Sequence, residues 1–165
     1  MNAYEKMMDT IKAEEQLLRV EHFSNQDAFD LGCFLVEEAK KQGIAMAVAV
    51  RKPTGAILFH HLMAGTNFNN QNWMRRKYNT VLLWEHSSLY AWAHEHSSGE
   101  SIEEHGFSKA EYIQCGGGFP IFMKSGELVG VLTVSNLPHI GDHNFAVAAF
   151  AKWLGVENVP LAEEI

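Results

Sequence analysis

The chain has 165 residues, of which 47% are hydrophobic, and its 13 basic and 20 acidic residues give a formal net charge of −7. This length fits one domain, and the apolar content excludes wholesale disorder and a disulfide-dependent mini-protein. The acidic balance argues against a general nucleic-acid partner, because such proteins gain affinity by neutralising phosphates.

The first quarter of the chain predicts two acidic helices. Residues 1–40 hold nine acidic and four basic residues, which is five of the seven net negative charges. Over residues 2–20, apolar side chains recur at helical spacing among Glu and Lys. A second helix is predicted after Ser24, which forms a capping-box pattern with Asp27, and it ends at Gly43.

After residue 43 the sequence alternates between hairpins and helices. In chain order the predicted elements are a β-hairpin over 44–62, two helices over 65–97 that meet at His86-Ser87-Ser88, a polar loop over 99–109, a second hairpin over 119–135 and a helix over 142–154. Hairpins build an antiparallel sheet, and the helices must cover its apolar faces. The sequence therefore predicts an α+β sandwich.

No segment predicts secretion or membrane attachment. Residues 1–12 carry interspersed charges and lack the apolar stretch of a signal peptide. The longest clearly apolar run, residues 44–50, is far shorter than the roughly 20 residues that span a bilayer. Cys33 and Cys115 show no CxxC spacing or disulfide framework, which is typical of reduced thiols. We expect a cytoplasmic protein with no membrane partner.

The Gly116-Gly117-Gly118 run is the most conspicuous turn signal. A phosphate-binding loop would need a following helix and a Lys-Ser/Thr pair, whereas a predicted strand that contains Pro120 follows here. Two interpretations stay open. The run is either a bulge or close backbone approach where side chains do not fit, or a place where a ligand lies against bare backbone.

Residues 73–78 form the only basic cluster. On a helical wheel Lys77 lies on the apolar arc between Val81 and Trp84, whereas Asn79 lies on the opposite side. The Lys77 ammonium then either reaches water past an apolar stem, or is a buried cation that binds a carboxylate of the protein or of a ligand.

The nine histidines form no recognised metal motif. His139 and His143 are four apart, but Pro138 and Gly141 favour a helix that begins near Asp142, with Asp142 as its N-cap and His139 outside it. Neither an HExxH nor a GxSxG pattern occurs. No metal site is predicted, and no catalytic residue is assigned.

A set of glycines, turns and polar residues recurs along the chain in a recognisable order. The set is Gly117-Gly118-Phe119-Pro120, Gly126, Val129-Gly130-Val131, Val134-Ser135 and Asp142-His143, with Trp73, Arg76-Lys77, Asn79 and Ser87-Ser88. This pattern resembles the haem-degrading-domain (HbpS/GlcG-like) family, in particular its uncharacterised (UPF) branch, over residues 31–154. One position departs, because Asn136 stands where the family usually has the glycine of Ser-Gly-Leu-Pro.

The resemblance implies a profilin-like, three-layer α/β/α fold with a five-stranded antiparallel sheet, whose fifth strand would lie near residues 111–115. It implies one HbpS/GlcG-like domain over residues 1–165, with residues 1–23 as an N-terminal helical extension. It also implies homo-oligomers and, in some relatives, the binding of haem or another small ligand.

These observations together predict a small-ligand-binding protein that acts as a homo-oligomer, with haem or another anionic cofactor or metabolite as the ligand. The candidate binding residues are Lys77, Asn79, Gly117, Gly118, Asp142 and His143. Bare backbone N–H groups and a helix N-terminus favour an anion. The alternatives are a non-catalytic homo-oligomeric scaffold or adaptor, and a metal-dependent hydrolase that uses His139 and His143.

Overall fold

Five α-helices and four β-strands follow one another in the predicted order. The computed structural model describes all 165 residues. The elements are α1 Ala3–Leu17, α2 Asn25–Lys41, β1 Ala47–Arg51, β2 Ile57–Leu62, α3 Phe68–Trp84, α4 Ser88–Ser98, a 3-10 helix Ile102–His105, β3 Gly118–Phe122, β4 Leu128–Ser135 and α5 His139–Leu154. The 3-10 helix lies in the segment predicted as polar loop.

The sheet is antiparallel, with the strands in the order β2-β1-β4-β3. Both predicted hairpins are present, and β1 pairs with β4 in the middle of the sheet. The sheet has four strands, so the expectation of a fifth near residues 111–115 is wrong. That segment binds α3 instead: the Thr80 hydroxyl accepts from the Ile113 N–H at 2.9 Å, and the Asn79 amide donates to the Glu111 carbonyl at 2.7 Å.

Helices cover both faces of the sheet because the side chains of β1 are apolar and buried on both faces. Val48 and Val50 point into the main hydrophobic core, which α2 and α5 complete. Ala47 and Ala49 point to the other face, where they meet Met74 of α3. The result is an α+β arrangement in which α3 lies on one side of the sheet and the α2–α5 pair on the other.

The helix α2 begins at the predicted capping box. The Ser24 hydroxyl accepts from the Asp27 N–H at 3.1 Å, and the Asp27 carboxylate accepts from the Ser24 N–H at 2.7 Å. The hydrogen bond from the Ser24 backbone lowers the pKa of Asp27 below its ordinary value. This local signal placed the start of the helix correctly.

The helix α1 packs on α4 through a small core of its own. Met7 and Ile11, at helical spacing on α1, contact Leu89 and Ala93 of α4.

None of the helices combines the length and the apolar character that a membrane-spanning helix needs.

Candidate functional site

Lys77 of α3 and Asp142 of α5 form a buried ion pair. The Lys77 Nζ lies 2.9 Å from Asp142 Oδ2 and 3.0 Å from the Val134 carbonyl oxygen, and the two side chains are 2% and 3% exposed. Of the two alternatives that the sequence leaves open for Lys77, the structure shows the second, a buried cation that binds a carboxylate of the protein. The ammonium does not reach bulk water.

The second oxygen of Asp142 holds the turn that precedes α5. Its Oδ1 accepts from the backbone N–H of Leu137 at 2.8 Å and of Asn136 at 3.2 Å. Burial raises the pKa of Asp142, against the opposing pull of Lys77 and of these two N–H groups.

The prediction that Asp142 is the N-cap of the last helix is wrong. The helix begins at His139, with Pro138 at the N-cap position. The Asp142 N–H donates to the Pro138 carbonyl at 2.8 Å, so the helix starts three residues earlier than Asp142. The Asp142 side chain binds Lys77 and the Leu137 N–H instead of capping the helix. His139 consequently lies inside the helix rather than before it.

The three glycines are places of close backbone approach. Gly117 has a φ of +123°, and a Cβ there would lie 2.6 Å from the Lys77 Nζ and 2.7 Å from the Val134 carbonyl oxygen. At Gly118 a Cβ would lie 2.9 Å from Val81, and the Gly118 N–H donates to the Ser88 hydroxyl at 2.8 Å. Glycine therefore lets the start of β3 lie directly on the ion pair.

A pocket of about 280 Å³ opens beside the ion pair. Its lining is mostly polar and consists of Asn70, Trp73, Lys77, Cys115, Ser135, Asn136, Leu137 and Asp142. The Asn70 amide donates to the Ser135 hydroxyl at 3.3 Å, which joins α3 to the end of β4. Asn136 keeps the turn, with a φ of 152° and its amide bound to the Ala45 carbonyl at 2.9 Å.

Cys115 is the one thiol in this lining, and it is half-buried. Burial raises the pKa of the Cys115 thiol, although the nearby Lys77 pulls it down. The group is therefore held as a thiol at neutral pH, which does not favour a nucleophilic or metal-binding thiolate.

His143 lies under α1 rather than in the pocket. It is fully buried, and its Nε2 lies 2.7 Å from the equally buried Glu14 Oε2 of α1. Burial raises the pKa of Glu14, although the hydrogen bond with His143 opposes the rise. The His143 Nδ1 has no hydrogen-bond partner.

The predicted site residues thus divide into three groups. Lys77, Gly117, Gly118 and Asp142 come together around the ion pair. His143 directly follows Asp142 on α5 but faces Glu14. Asn79 is on the far side of α3, as the helical wheel places it, and it does not line the pocket.

Sequence reasoning missed most of the pocket lining. Asn70 and Trp73 precede Lys77 by seven and four positions, so helical periodicity could have placed them on the same face of α3. The contributions of Cys115 and Ser135 come from other elements and carry no local signal. No group of three or more His, Cys, Asp or Glu residues lies close enough together to hold a metal ion.

Comparison with known proteins identifies the family to which the chain belongs. A family model described as haem degrading protein HbpS-like matches residues 23–151. The chain belongs to the HbpS-like family. Within it, the chain is 34% identical over 153 residues to a UPF0303 protein of Yersinia enterocolitica, covering 92% of this chain and 90% of the relative. It is 36% identical over 143 residues to a UPF0303 protein of Yersinia pseudotuberculosis, covering 86% and 83% of the two chains.

Solved structures share the fold of this HbpS-like chain. The Ybr137w protein aligns with a TM-score of 0.82 at 28% identity and covers 90% of this chain and 87% of that one. HbpS aligns with a TM-score of 0.65 at 23% identity, over 81% and 91% of the two chains. A complex of PduOC with haem aligns at 0.65 and 18% identity, over 87% and 99%. The last two likenesses concern the fold alone.

Proposed function

We propose that this HbpS-like protein binds a small acidic molecule in the pocket beside Lys77 and acts as a homo-oligomer. One observation carries the ligand class. The Lys77 side chain is 2% exposed, yet Lys77 lines the pocket. An ammonium has three N–H donors, and two of them have acceptors in the protein, Asp142 and the Val134 carbonyl. A carboxylate or phosphate oxygen of a ligand supplies the third acceptor.

The rest of the lining supports a ligand that is held by hydrogen bonds as well as charge. Because Asp142 already balances Lys77, the pocket has no large excess of positive charge. Side chains of Asn70, Ser135 and Asn136 supply neutral donors and acceptors around the ion pair. The ligand is therefore expected to carry polar groups beyond its acid.

Haem is the cofactor that the family description and the PduOC:haem complex suggest. The pocket lining suits a haem propionate, because the Lys77 ammonium can donate a hydrogen bond to its carboxylate. It does not suit ligation of the iron: Cys115 is the one side chain there of a type that ligates haem, and burial keeps it protonated. His143 is enclosed with Glu14. No reaction at iron follows from these residues.

Porphyrin titrations distinguish binding through the propionate groups from binding through the iron. We expect haemin and metal-free protoporphyrin IX to bind, and haemin dimethyl ester, which lacks free propionates, to bind about tenfold more weakly, as loss of a charged hydrogen bond predicts. Absorbance and tryptophan fluorescence report binding. The double variant Lys77→Met/Asp142→Asn should bind acid and ester equally, whereas Asn79→Ala, on the far side of the same helix, should behave as wild type.

Two results would count against this function. If the ester binds as well as the acid and metal-free porphyrin does not bind, the iron rather than Lys77 holds the ligand. If no porphyrin binds, the haem-like version is wrong, and the acid must be sought among molecules that the protein retains in its own host.

A further inference from the structure

A second cavity, of about 280 Å³, lies on the other side of α3 from the pocket beside Lys77. Ala49 of β1 and Thr133 of β4 line its floor, and Ile57, Phe68 and Met74 line its walls. Ile57 and Phe68 are 59% and 73% exposed, which is unusual for large apolar side chains. Three side chains that carry or can carry positive charge, Arg51, His60 and Arg75, complete the lining.

The alternation of β1 creates this space. Ala49, His60 of β2 and Thr133 of β4 are paired neighbours across the sheet and therefore share its α3 face. A larger residue at Ala49 would fill the gap under α3, where Met74 packs. The small side chain leaves room for the apolar part of a ligand.

Arg51 lies at the end of this cavity with its guanidinium already held in place. The group stacks on the Tyr78 ring, with its carbon 3.8 Å from the ring centroid, and its Nη2 donates to the Gly55 carbonyl at 3.0 Å. No carboxylate lies within 4.0 Å of it, and its Nε is buried without a partner. A held guanidinium loses little freedom when it binds an anion.

The charges around the cavity all have the same sign. Arg75 is paired with Glu111 at 2.6 Å, but Glu111 does not line the cavity, and neither does any other acidic residue. Arg51 therefore has no protein carboxylate to balance it. An anion with an apolar body would match both the charge and the walls.

We propose that the cavity between α3 and the β1–β2 hairpin binds an organic carboxylate with a short apolar body. Arg51 holds the carboxylate through its free N–H groups, and Ile57, Phe68 and Met74 cover the apolar chain. This site is separate from the pocket beside Lys77, and the proposal does not rest on the function argued above.

The test compares octanoate with octanol, which has the same chain without the charge. The methyl signal of Met74 in NMR reports each titration, because Met74 is 2% exposed and faces the cavity. We expect octanoate to bind about tenfold more tightly than octanol, as a charged hydrogen bond predicts. Arg51→Met should remove that difference, and Phe68→Ser, at an exposed wall, should weaken both ligands.

Two control variants make the result specific. Arg19→Met removes a similar guanidinium, which lies over the Phe122 ring at 5.8 Å and also has a buried Nε without a partner, far from this cavity. It should leave both titrations unchanged. Lys77→Met/Asp142→Asn should also leave them unchanged, so that failure of this proposal and failure of the Lys77 pocket can be told apart.

Three outcomes would overturn the proposal. The first is that octanoate produces no shift of the Met74 methyl, and the second is that octanoate and octanol bind equally to the wild type. The third is that Arg51→Met binds octanoate as tightly as the wild type does. Sedimentation of the variants gives a further check. If Arg51→Met or Phe68→Ser dissociates an assembly, the cavity is an interface between copies of the chain and not a ligand site.

Discussion

Lys77 and Asp142 are 65 positions apart in the chain and 2.9 Å apart in the fold. Removing two charges from water is costly, and the pair is tolerated because nearly every hydrogen-bonding group around it is satisfied. Asp142 accepts from Lys77 and from two backbone N–H groups, and Lys77 also donates to Val134. The pair therefore joins α3, β4 and α5 at one point.

Removing one member of the pair should cost far more than removing both charges. Lys77→Met leaves the Asp142 carboxylate buried without its cation, and we expect a loss of about 3–5 kcal/mol in the free energy of unfolding. Adding Asp142→Asn keeps an oxygen for the Asn136 and Leu137 N–H groups, so the double variant should regain most of that loss. Urea denaturation measures both, and a double variant no more stable than Lys77→Met would contradict this account of the pair.

At the scale of elements, the fit of α2 on the sheet depends on one glycine. Gly32 lies in the middle of α2 and is buried, and a Cβ there would lie 2.6 Å from Cδ2 of Phe59 on β2. A glycine inside a helix is ordinarily unfavourable by about 1 kcal/mol relative to alanine. Here the close approach of the ring decides which residue fits.

Gly32→Ala should therefore destabilise the protein, against its helix propensity. Overpacking costs about 1–3 kcal/mol, and the upper part of that range is expected because the ring Cγ, not a flexible chain end, lies closest to the added Cβ. This cost exceeds the helical gain of about 1 kcal/mol. In a Phe59→Ala background the Cγ and the whole ring are gone, and the same substitution should be neutral or stabilising. A double-mutant cycle by chemical denaturation measures the coupling, and equal effects of Gly32→Ala in both backgrounds would show that the contact is unimportant.

Sequence reasoning worked where the signal was local. The Ser24–Asp27 capping box, the two hairpins and the break between α3 and α4 at Ser87 all depend on neighbouring residues. Sequence reasoning failed where the structure depends on residues that are far apart in the chain. Residues 111–115 do not form a strand because Asn79 and Thr80 bind their backbone.

The candidate site shows the same limit. A helical wheel could put Lys77 on the apolar arc, but its partner is on another helix, so the wheel left the two states of the ammonium open. His143 is a candidate in the sequence because Asp142-His143 belongs to the family pattern and is placed at the start of the last helix, where an anion is favoured. Its actual partner, Glu14, is 129 positions away and lies before the segment that the family model matches.

At the scale of the whole molecule, α1 is joined to the rest by two adjacent carboxylates. Glu14 reaches His143 of α5 at 2.7 Å, and Glu15 accepts from the Ser87 N–H at 2.8 Å and lies 2.7 Å from His86 Nδ1. All of α1 precedes the segment matched by the HbpS-like family model. These polar contacts lie beside the Met7–Ile11 face and fix how α1 sits on the fold.

The buried Glu14 should give stability a specific pH dependence. A carboxyl with a raised pKa keeps its proton in the folded state at pH values where the unfolded chain has lost it. The free energy of unfolding therefore falls as pH rises from Glu14's ordinary value of 4.5 through its raised pKa. Glu14→Gln should lose Glu14's share of this decrease, whereas Asp142, whose pKa is also raised, keeps its own share. Urea denaturation at a series of pH values measures the difference between the two proteins.

The control for Glu14→Gln is the same substitution at a carboxyl that is exposed. Glu157→Gln, at an exposed position, should follow the wild-type pH dependence. A difference between wild type and Glu14→Gln that is constant with pH, or that grows in favour of the wild type as pH rises, would contradict the role given to Glu14.

Native mass spectrometry of the protein purified from its own host tests the central claim most directly, because it reports the subunit number and any retained molecule together. We predict a discrete homo-oligomer that carries a small acidic molecule, and loss of that molecule from Lys77→Met/Asp142→Asn but not from Asn79→Ala. A monomer, or a retained molecule that the double variant keeps at the wild-type level, would contradict it.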